Sequence, residues 1–405
     1  MTDDLPDKTL RDRITALGKK RREILALPPE QALERILSDP QPAALVHSFP
    51  ETDFHLLIHD IGPEDALPLL ALASDRQWDH VVDIESWQRD RIENGLVTRW
   101  MSLLLEADPK RFIRWSLTQR LSFVEFYLFH NIEVRVREHD QDPSDFGDDF
   151  FTLDNVYYVR FLKLPPVAEG SAIGEEERRQ FLTNFIERLA EHDHLVFQNV
   201  LLEATHVIPA ETEEEEYRWR TVRLAEKGFP PFDEAIGIYQ PVTPRALARQ
   251  APKSLPRSGV ETSLLPVPAV PLRELPAETR FGRALASIDP IEVLPHIQWE
   301  FTNLCNQIVV ADGKTIRGRD QLREIVTKAC GYLGMGLERL KAPGEQAIDS
   351  YRAAQVLIRH PLVDLFRLGF GAALEHKWQA EKWLSSSWFA AANLRLTFWG
   401  EQWMG

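Results

Sequence analysis

FPETDFHLLIHDI (49–61), GPEDALPLLALA (62–73) and SDRQWDHVVDI (74–84) are consecutive, and they share one plan with LPPEQALERIL (27–37). Each opens on Pro or Ser followed closely by Glu or Asp, then carries apolar residues at helical spacing. Proline suits the first turn of a helix, where its missing N–H has no partner to lose, and an acidic residue there complements the helix dipole. Pro50 and Pro63 mark the starts of two neighbouring units. Helices this short cannot hide an apolar face alone, so neighbours must stack on one another, and a short-helix solenoid is predicted.

Working outward, helical periodicity continues through Asp90–Glu106 and Pro109–His130, the second rich in aromatic residues. The period then changes. Ile132, Val134 and Val136 alternate with Glu133, Arg135 and Arg137, the signature of a half-buried strand, and Val156–Leu162 supplies a partner. An antiparallel pair joined by an acidic loop is predicted. Helices resume at Gly174–Glu191, Leu195–Thr205 and Ala210–Lys227, with Gly228 and Pro230-Pro231 as the stop. Residues 241–276 contain eight prolines without periodicity, which reads as an extended connector. Further helices follow near Asp289–Val310, at Asp320–Leu340, and toward the C-terminus. The predicted fold is therefore mainly α. A short-helix repeat domain occupies 1–130, a β-ribbon with helices continuous with it occupies 131–240, a Pro-rich connector spans 241–276, and a helical domain fills 277–405.

The acidic-capped units of residues 27–84 resemble the short-helix N-terminal domain of MgtE-type magnesium transporters. That resemblance implies a superhelix of short helices and a cation-sensing role, but it carries over no transport, because nothing here corresponds to the transporter's membrane domain. The whole chain is similar to a family of uncharacterised bacterial proteins, through DPSDFGDDFFTLDN (142–155), EEEEYRWRTVRLAEKGFPPFDEAIGIY (213–239) and the Trp-rich end. That similarity implies no activity.

The 405 residues carry 47 Lys and Arg against 62 Asp and Glu, a net charge of −15. The charge is uneven. Residues 241–405 hold 20 basic and 16 acidic side chains, leaving 27 and 46 for residues 1–240. So acidic an N-terminal region repels phosphate backbones, and no nucleic-acid partner is expected for 1–240. No stretch approaches the run of about 18 apolar residues that a membrane span requires. The first residues are charged throughout rather than apolar like a signal peptide. Two cysteines, Cys305 and Cys330, exclude a disulfide scaffold and a zinc site built on paired cysteines. A cytoplasmic protein is expected.

The acidic loop 140–154 holds six aspartates, and Asp145, Asp148 and Asp149 are candidate ligands for a hard cation such as Mg²⁺ or Ca²⁺. The loop departs from the EF-hand pattern, with Asp145 at the glycine position and Phe151 at the final glutamate position. Capping of backbone N–H groups in a solvated turn explains the same composition. His55 and His59 stand four residues apart on one helix face and form a candidate transition-metal pair, with Asp60 or His80 as a third ligand. The Leu-Leu-Ile filling between them equally suits a packed helix. Two Glu-x-x-His fragments, Glu191–His194 and Glu203–His206, have the spacing of a di-iron site, with Glu213–Glu216 as further carboxylates, although they stand only 12 residues apart and 191–194 reads as a helix–helix junction.

On Glu213–Glu226, Glu214 and Glu216 precede Arg218 and Arg220 by four residues, the favourable order for helix ion pairs, while Trp219 and Val222 read as the packed face. The sharper reading of the same helix is an anion-binding row of Arg218, Arg220 and Arg223. No catalytic set emerges: Gly313-Lys314-Thr315 lacks the rest of a phosphate loop, and Gly331, Gly334 and Gly336 do not fit a dinucleotide fingerprint. Trp378, Trp383, Trp388, Trp399 and Trp403 read as core or docking surface. The functional expectation is a non-enzymatic cytoplasmic scaffold or regulatory protein binding other proteins through a helical repeat surface. The competing expectation is a divalent-cation sensor or metal-dependent enzyme, a divalent cation being the sole cofactor entertained. Oligomeric state is not encoded in any of these features.

Overall fold

The computed structural model describes residues 5–163, 173–254, 270–289, 293–342 and 344–392. The chain forms two compact units, Met1–Lys227 and Gly228–Gly405. The molecule is mainly α, as the periodicity predicts, and the described residues include two small sheets, of two and three strands.

In the first unit a long helix α1 (Leu5–Leu25) precedes five short ones: α2 (Pro29–Leu37), α3 (Pro42–His47), α4 (Glu51–Ile61), α5 (Leu67–Leu72) and α6 (Asp75–Glu85). The four sequence units fall on α2, α4, α5 and α6, and α3 is an additional helix between the first two. Proline stands at the start of α2 and α3 and at the N-cap of α4. Ser74 caps α6 in a reciprocal pair with Gln77. A two-residue hairpin of β1 (Trp87–Gln88) and β2 (Arg91–Ile92) delays the next helix, so α7 runs from Asn94 to Ala107.

The aromatic stretch predicted as one helix is two, α8 (Pro109–Gln119) and α9 (Leu121–Asn131), broken at Arg120, whose backbone leaves the helical region at φ −133°, ψ 27°. The break has a purpose visible in the side chain: Arg120 is 3% exposed and turned onto α6. The predicted strand pair is present, with β3 (Ile132–Val136) antiparallel to Tyr157–Phe161 in the register Ile132 to Phe161. A short strand, β4 (Phe151–Thr152), adds to the other edge of that second strand, β5 (Tyr157–Phe161). Helices α10 (Glu175–His192), α11 (His194–Ala204) and α12 (Pro209–Ala225) complete the unit.

One face of α12 reverses the expectation. Trp219 and Val222 are 55% and 51% exposed, whereas Glu216 and Leu224 are buried. The helix turns its charged side inward because a buried carboxylate on α6 awaits it, as the next subsection shows.

The second unit holds α13 (Phe232–Ala235), α14 (Pro244–Leu247), α15 (Val270–Arg273), α16 (Arg280–Ala286), α17 (Leu294–Ala311), α18 (Arg319–Glu338), α19 (Ser350–Arg359), α20 (Leu362–Ser385) and α21 (Trp388–Ala391). Helices α18 and α20 meet backbone to backbone at Gly336 and Gly369. A Cβ on Gly336 would strike the Leu365 carbonyl, and one on Gly369 the Tyr332 carbonyl. The glycines of α18 thus include a packing contact rather than a phosphate turn. The described flanks of the Pro-rich stretch pack within this unit: Val242 donates to the Arg367 carbonyl, and Lys253 is paired with Glu300 at 2.8 Å. Residues 255–269 of that stretch, and Trp399 and Trp403, lie outside the described residues. Among the described residues, no helix is long and apolar enough to cross a membrane.

Candidate metal centre

Helix α4 is buried on several faces, through Phe54, Leu56, Leu57 and Ile58 together with the polar Asp53 and His55. Such a helix lies inside its unit, and its i, i+4 spacing sets His55 above His59 on one side. Their rings meet edge-on, 4.7 Å between centroids. Helix α6 is fixed against the end of α3 and the turn after it by Gln77, whose side chain donates to the carbonyls of Val46 and Phe49. Trp78 adds a bond from its indole nitrogen to the Leu70 carbonyl. This anchoring brings Glu85, the last residue of α6, to α4.

The two imidazoles converge on a single atom. His55 Nε2 lies 2.8 Å and His59 Nε2 2.9 Å from Glu85 Oε1. His55 is 4% exposed, Glu85 2%. Trp100 of α7 covers His59, with 5.6 Å between ring centroids. Burial pushes the Glu85 carboxyl up, but hydrogen bonds and charge from His55 and His59 outweigh it and hold the group well below the usual carboxylate range. An ionised carboxylate only accepts, so both Nε2 atoms carry hydrogen in this arrangement. Either ring can present a bare Nε2 to a metal after its proton moves to Nδ1 or leaves.

His80, on α6, stands edge-on to His55 at 6.0 Å. It is 1% exposed, and burial, reinforced by Lys227 and His55, pushes its pKa well down, so the ring is neutral at pH 7. Among the described residues, one group of three or more metal-ligating side chains brings its donor atoms within 4.8 Å of one another: His55, His59 and Glu85.

The opposite side of α6 holds an ion-pair network around Asp83, which is fully buried. Arg223 of α12 grips it with two bonds of 2.8 Å, Arg120 pairs with it at 3.0 Å, and Arg220 donates to its backbone carbonyl at 2.6 Å. Arg120 also holds Asp79 at 2.8 Å. Burial pulls the Asp83 carboxyl up, and the two arginines overcome it, leaving the pKa lowered. Glu216 shows the contrary balance: burial raises its pKa despite the nearby Arg120 and Arg223.

Of the residues singled out in sequence, the structure brings His55 and His59 together. It does not gather Asp145, Asp148 and Asp149, which are exposed and, among the described residues, form no three-ligand group. Their neighbours act as caps: Asp142 accepts from Ser144 at 2.9 Å, and Asp154 from Val156 and Tyr157 at 2.8 Å each. Arg218, Arg220 and Arg223 do not form a row. Arg218 pairs with Glu214 in solvent, while Arg220 and Arg223 turn to Asp83. Glu191 bonds Arg188 and His206 contacts the Leu202 carbonyl, and among the described residues the Glu-x-x-His fragments form no three-ligand group. Sequence reasoning missed Glu85 and Asp83. The available signal was the acidic punctuation of DRQWDHVVDIE (75–85), where carboxylates interrupt an otherwise buried helix.

Fold and site together define a mainly α protein with a buried His-His-Glu cluster clamped between two short helices. The chain belongs to the family described as Family of unknown function (DUF6178), which matches residues 11–405. Neither the curated proteins nor the solved structures contain a match to it. The likeness of residues 27–84 to the magnesium-transporter domain rests on pattern alone.

Proposed function

We propose that this protein binds a divalent transition-metal ion through His55, His59 and Glu85 and acts as a metal-responsive regulatory protein. The observation that carries the reading is the convergence of two imidazole Nε2 atoms, one buried and one part-buried, from successive turns of α4 on one carboxylate oxygen of α6. Two nitrogens and one carboxylate suit Zn²⁺, Fe²⁺ or Co²⁺, whereas Mg²⁺ and Ca²⁺ favour all-oxygen sites. Unlike the acidic-loop reading, this one places the ion in a closed, solvent-poor space. A cytoplasmic setting fits the two free cysteines.

A thermal-shift titration of metal-stripped protein tests it. Saturation to a hundredfold over Kd stabilises a binding protein by about 2.7 kcal/mol. For a unit the size of the first, that raises Tm by roughly 5–10 °C. The shift is expected with Zn²⁺ or Co²⁺, absent with Mg²⁺, and lost in His55→Ala. No shift with any ion would leave the cluster as a buried hydrogen-bond network.

A second reading, docking on a protein partner, draws support from Trp378, Trp383 and Trp388, which are 57%, 62% and 65% exposed on α20 and α21. It is compatible with the first, since a regulatory protein needs both a signal and a target.

A further inference from the structure

We propose that the second unit carries a binding site for a small zwitterion of the α-amino-acid type with an apolar side chain, seated in the groove between α16, α18 and α20. The groove measures about 620 Å³, inside the range of about 300–1,000 Å³ found for small-molecule sites. The site lies in the second unit and does not depend on the metal reading of the first.

Helix spacing builds the groove. Thr327, Gly331, Gly334 and Glu338 follow at intervals of four, three and four residues, so they form one stripe along α18. Arg280 and Arg283 stand about one turn apart on α16, and Ala372 and His376 one turn apart on α20, and these pairs supply further walls. The floor is bare. A Cβ on Gly331 would meet nothing within 4 Å, and one on Gly334 would meet Arg280 Cβ at 3.8 Å. Glycine inside a helix is destabilising. The backbone contact that explains Gly336 does not explain these two. A floor without side chains lets a bound molecule approach the helix closely, and Met335 adds apolar surface beside it.

The charges select the ligand. The ionisable groups of the groove, besides the Cys330 thiol, are Arg280, Arg283, Arg339, His376, Glu278 and Glu338. Arg280 pairs with Glu338 at 2.7 Å, and Arg339 pairs with Glu375 of α20. Those two guanidinium groups are satisfied within the protein. Among the described residues, the head groups of Arg283 and Glu278 have no ion pair or hydrogen bond, with each other or with any neighbour. One free cation and one free anion therefore line the same cavity. A simple anion would face Glu278 as a like charge, and a simple cation would face Arg283. A molecule with a carboxylate and an ammonium on one carbon satisfies both. The carboxylate takes the planar fork of Arg283 and the ammonium donates to Glu278, while the side chain lies on the glycine floor beside Met335. Thr327 and His376 can add hydrogen bonds.

Calorimetric titration of the metal-stripped full chain tests the assignment. The probes are L-leucine, L-methionine and L-phenylalanine. Each is compared with the acid that lacks its ammonium and the amine that lacks its carboxylate, which for phenylalanine are 3-phenylpropionate and 2-phenylethylamine. At least one amino acid should bind, and more tightly than its acid or its amine by about tenfold or more, the worth of a hydrogen bond to a charged group. Arg283→Met should weaken it by about the same factor. In Glu278→Gln the acid should draw level with the amino acid. Gly331→Leu should abolish binding with far-UV circular dichroism unchanged. Binding of none of the three amino acids would overturn the assignment. So would an acid or amine that matches its amino acid on the native protein, or binding that survives both Arg283→Met and Gly331→Leu. Should Gly331→Leu misfold, the comparison of probes on the native protein and the exposed Arg283→Met change decide.

Discussion

Replacing Asp83 with Asn keeps the shape of the side chain and removes its charge. In the native protein the carboxylate is fully buried and takes two bonds from Arg223 and one from Arg120. The amide of Asn must point an NH₂ at one of those guanidinium groups, a donor against a donor. Breaking one partner out of a buried ion pair costs about 3–5 kcal/mol, because the remaining charge is left without compensation. Two features place this case at the lower end. Asp79 still holds Arg120, and the Arg223 side chain is 27% exposed and can reach water. We expect a loss of about 3 kcal/mol, which for a unit of this size lowers Tm by roughly 6–12 °C. Calorimetry of the full chain should show the fall in the transition of the first unit alone. The loss should also depend on pH. The lowered pKa of Asp83 means its contribution is complete above the ordinary carboxylate range and disappears as pH falls through the folded-state value. Native and variant proteins should therefore converge in acid. A second change, Arg223→Met, should cost less in the Asp83→Asn background than in the native one. A loss below about 1 kcal/mol at pH 7, or a native–variant gap that widens in acid, would refute the claim that Asp83 is the buried hub.

Three further outcomes are expected. Gly336→Ala and Gly369→Ala should each destabilise the second unit by about 1–3 kcal/mol or more through backbone overlap. Gly331→Ala, on the same helix α18 but facing open space, should be neutral or stabilise by up to about 1 kcal/mol, and thermal melts would separate the two cases. Native protein should react with a thiol reagent only on unfolding, since burial pushes Cys330 up to about 12 and Cys305 well above its usual value. Asp145→Asn, Asp148→Asn and Asp149→Asn together should leave every metal-dependent change in Tm intact, because these exposed side chains do not converge.

Local pattern in the sequence accounts for most of the helices and for the strand pair, although burial fades along β3 instead of alternating and leaves Val136 47% exposed. It also accounts for the Glu214–Arg218 pair, a contact within one helical turn. What the pattern does not contain is tertiary contact. His55 and His59 are recognisable because they lie one turn apart. Glu85 joins them from a separate helix 30 residues after His55, and the acidic punctuation of its own helix does not say which partner it meets. Arg220 illustrates the same limit: spacing pairs it with Glu216, yet Asp83, 137 residues away, takes it instead. Trp219 and Val222 are misassigned for a related reason, since apolar periodicity assumes that charge faces water. In α12 the buried partner is itself a charge. The break at Arg120 is likewise set by Asp79 and Asp83 across the unit rather than by any helix-stopping residue.

The most direct test of the metal centre is an anomalous difference map from crystals of the protein soaked in Zn²⁺, recorded at the zinc edge. The account predicts one strong peak between α4 and α6, about 2.0–2.1 Å from the Nε2 atoms of His55 and His59 and a similar distance from Glu85. A peak at the acidic loop 140–154, or no ordered zinc near α4, would contradict it.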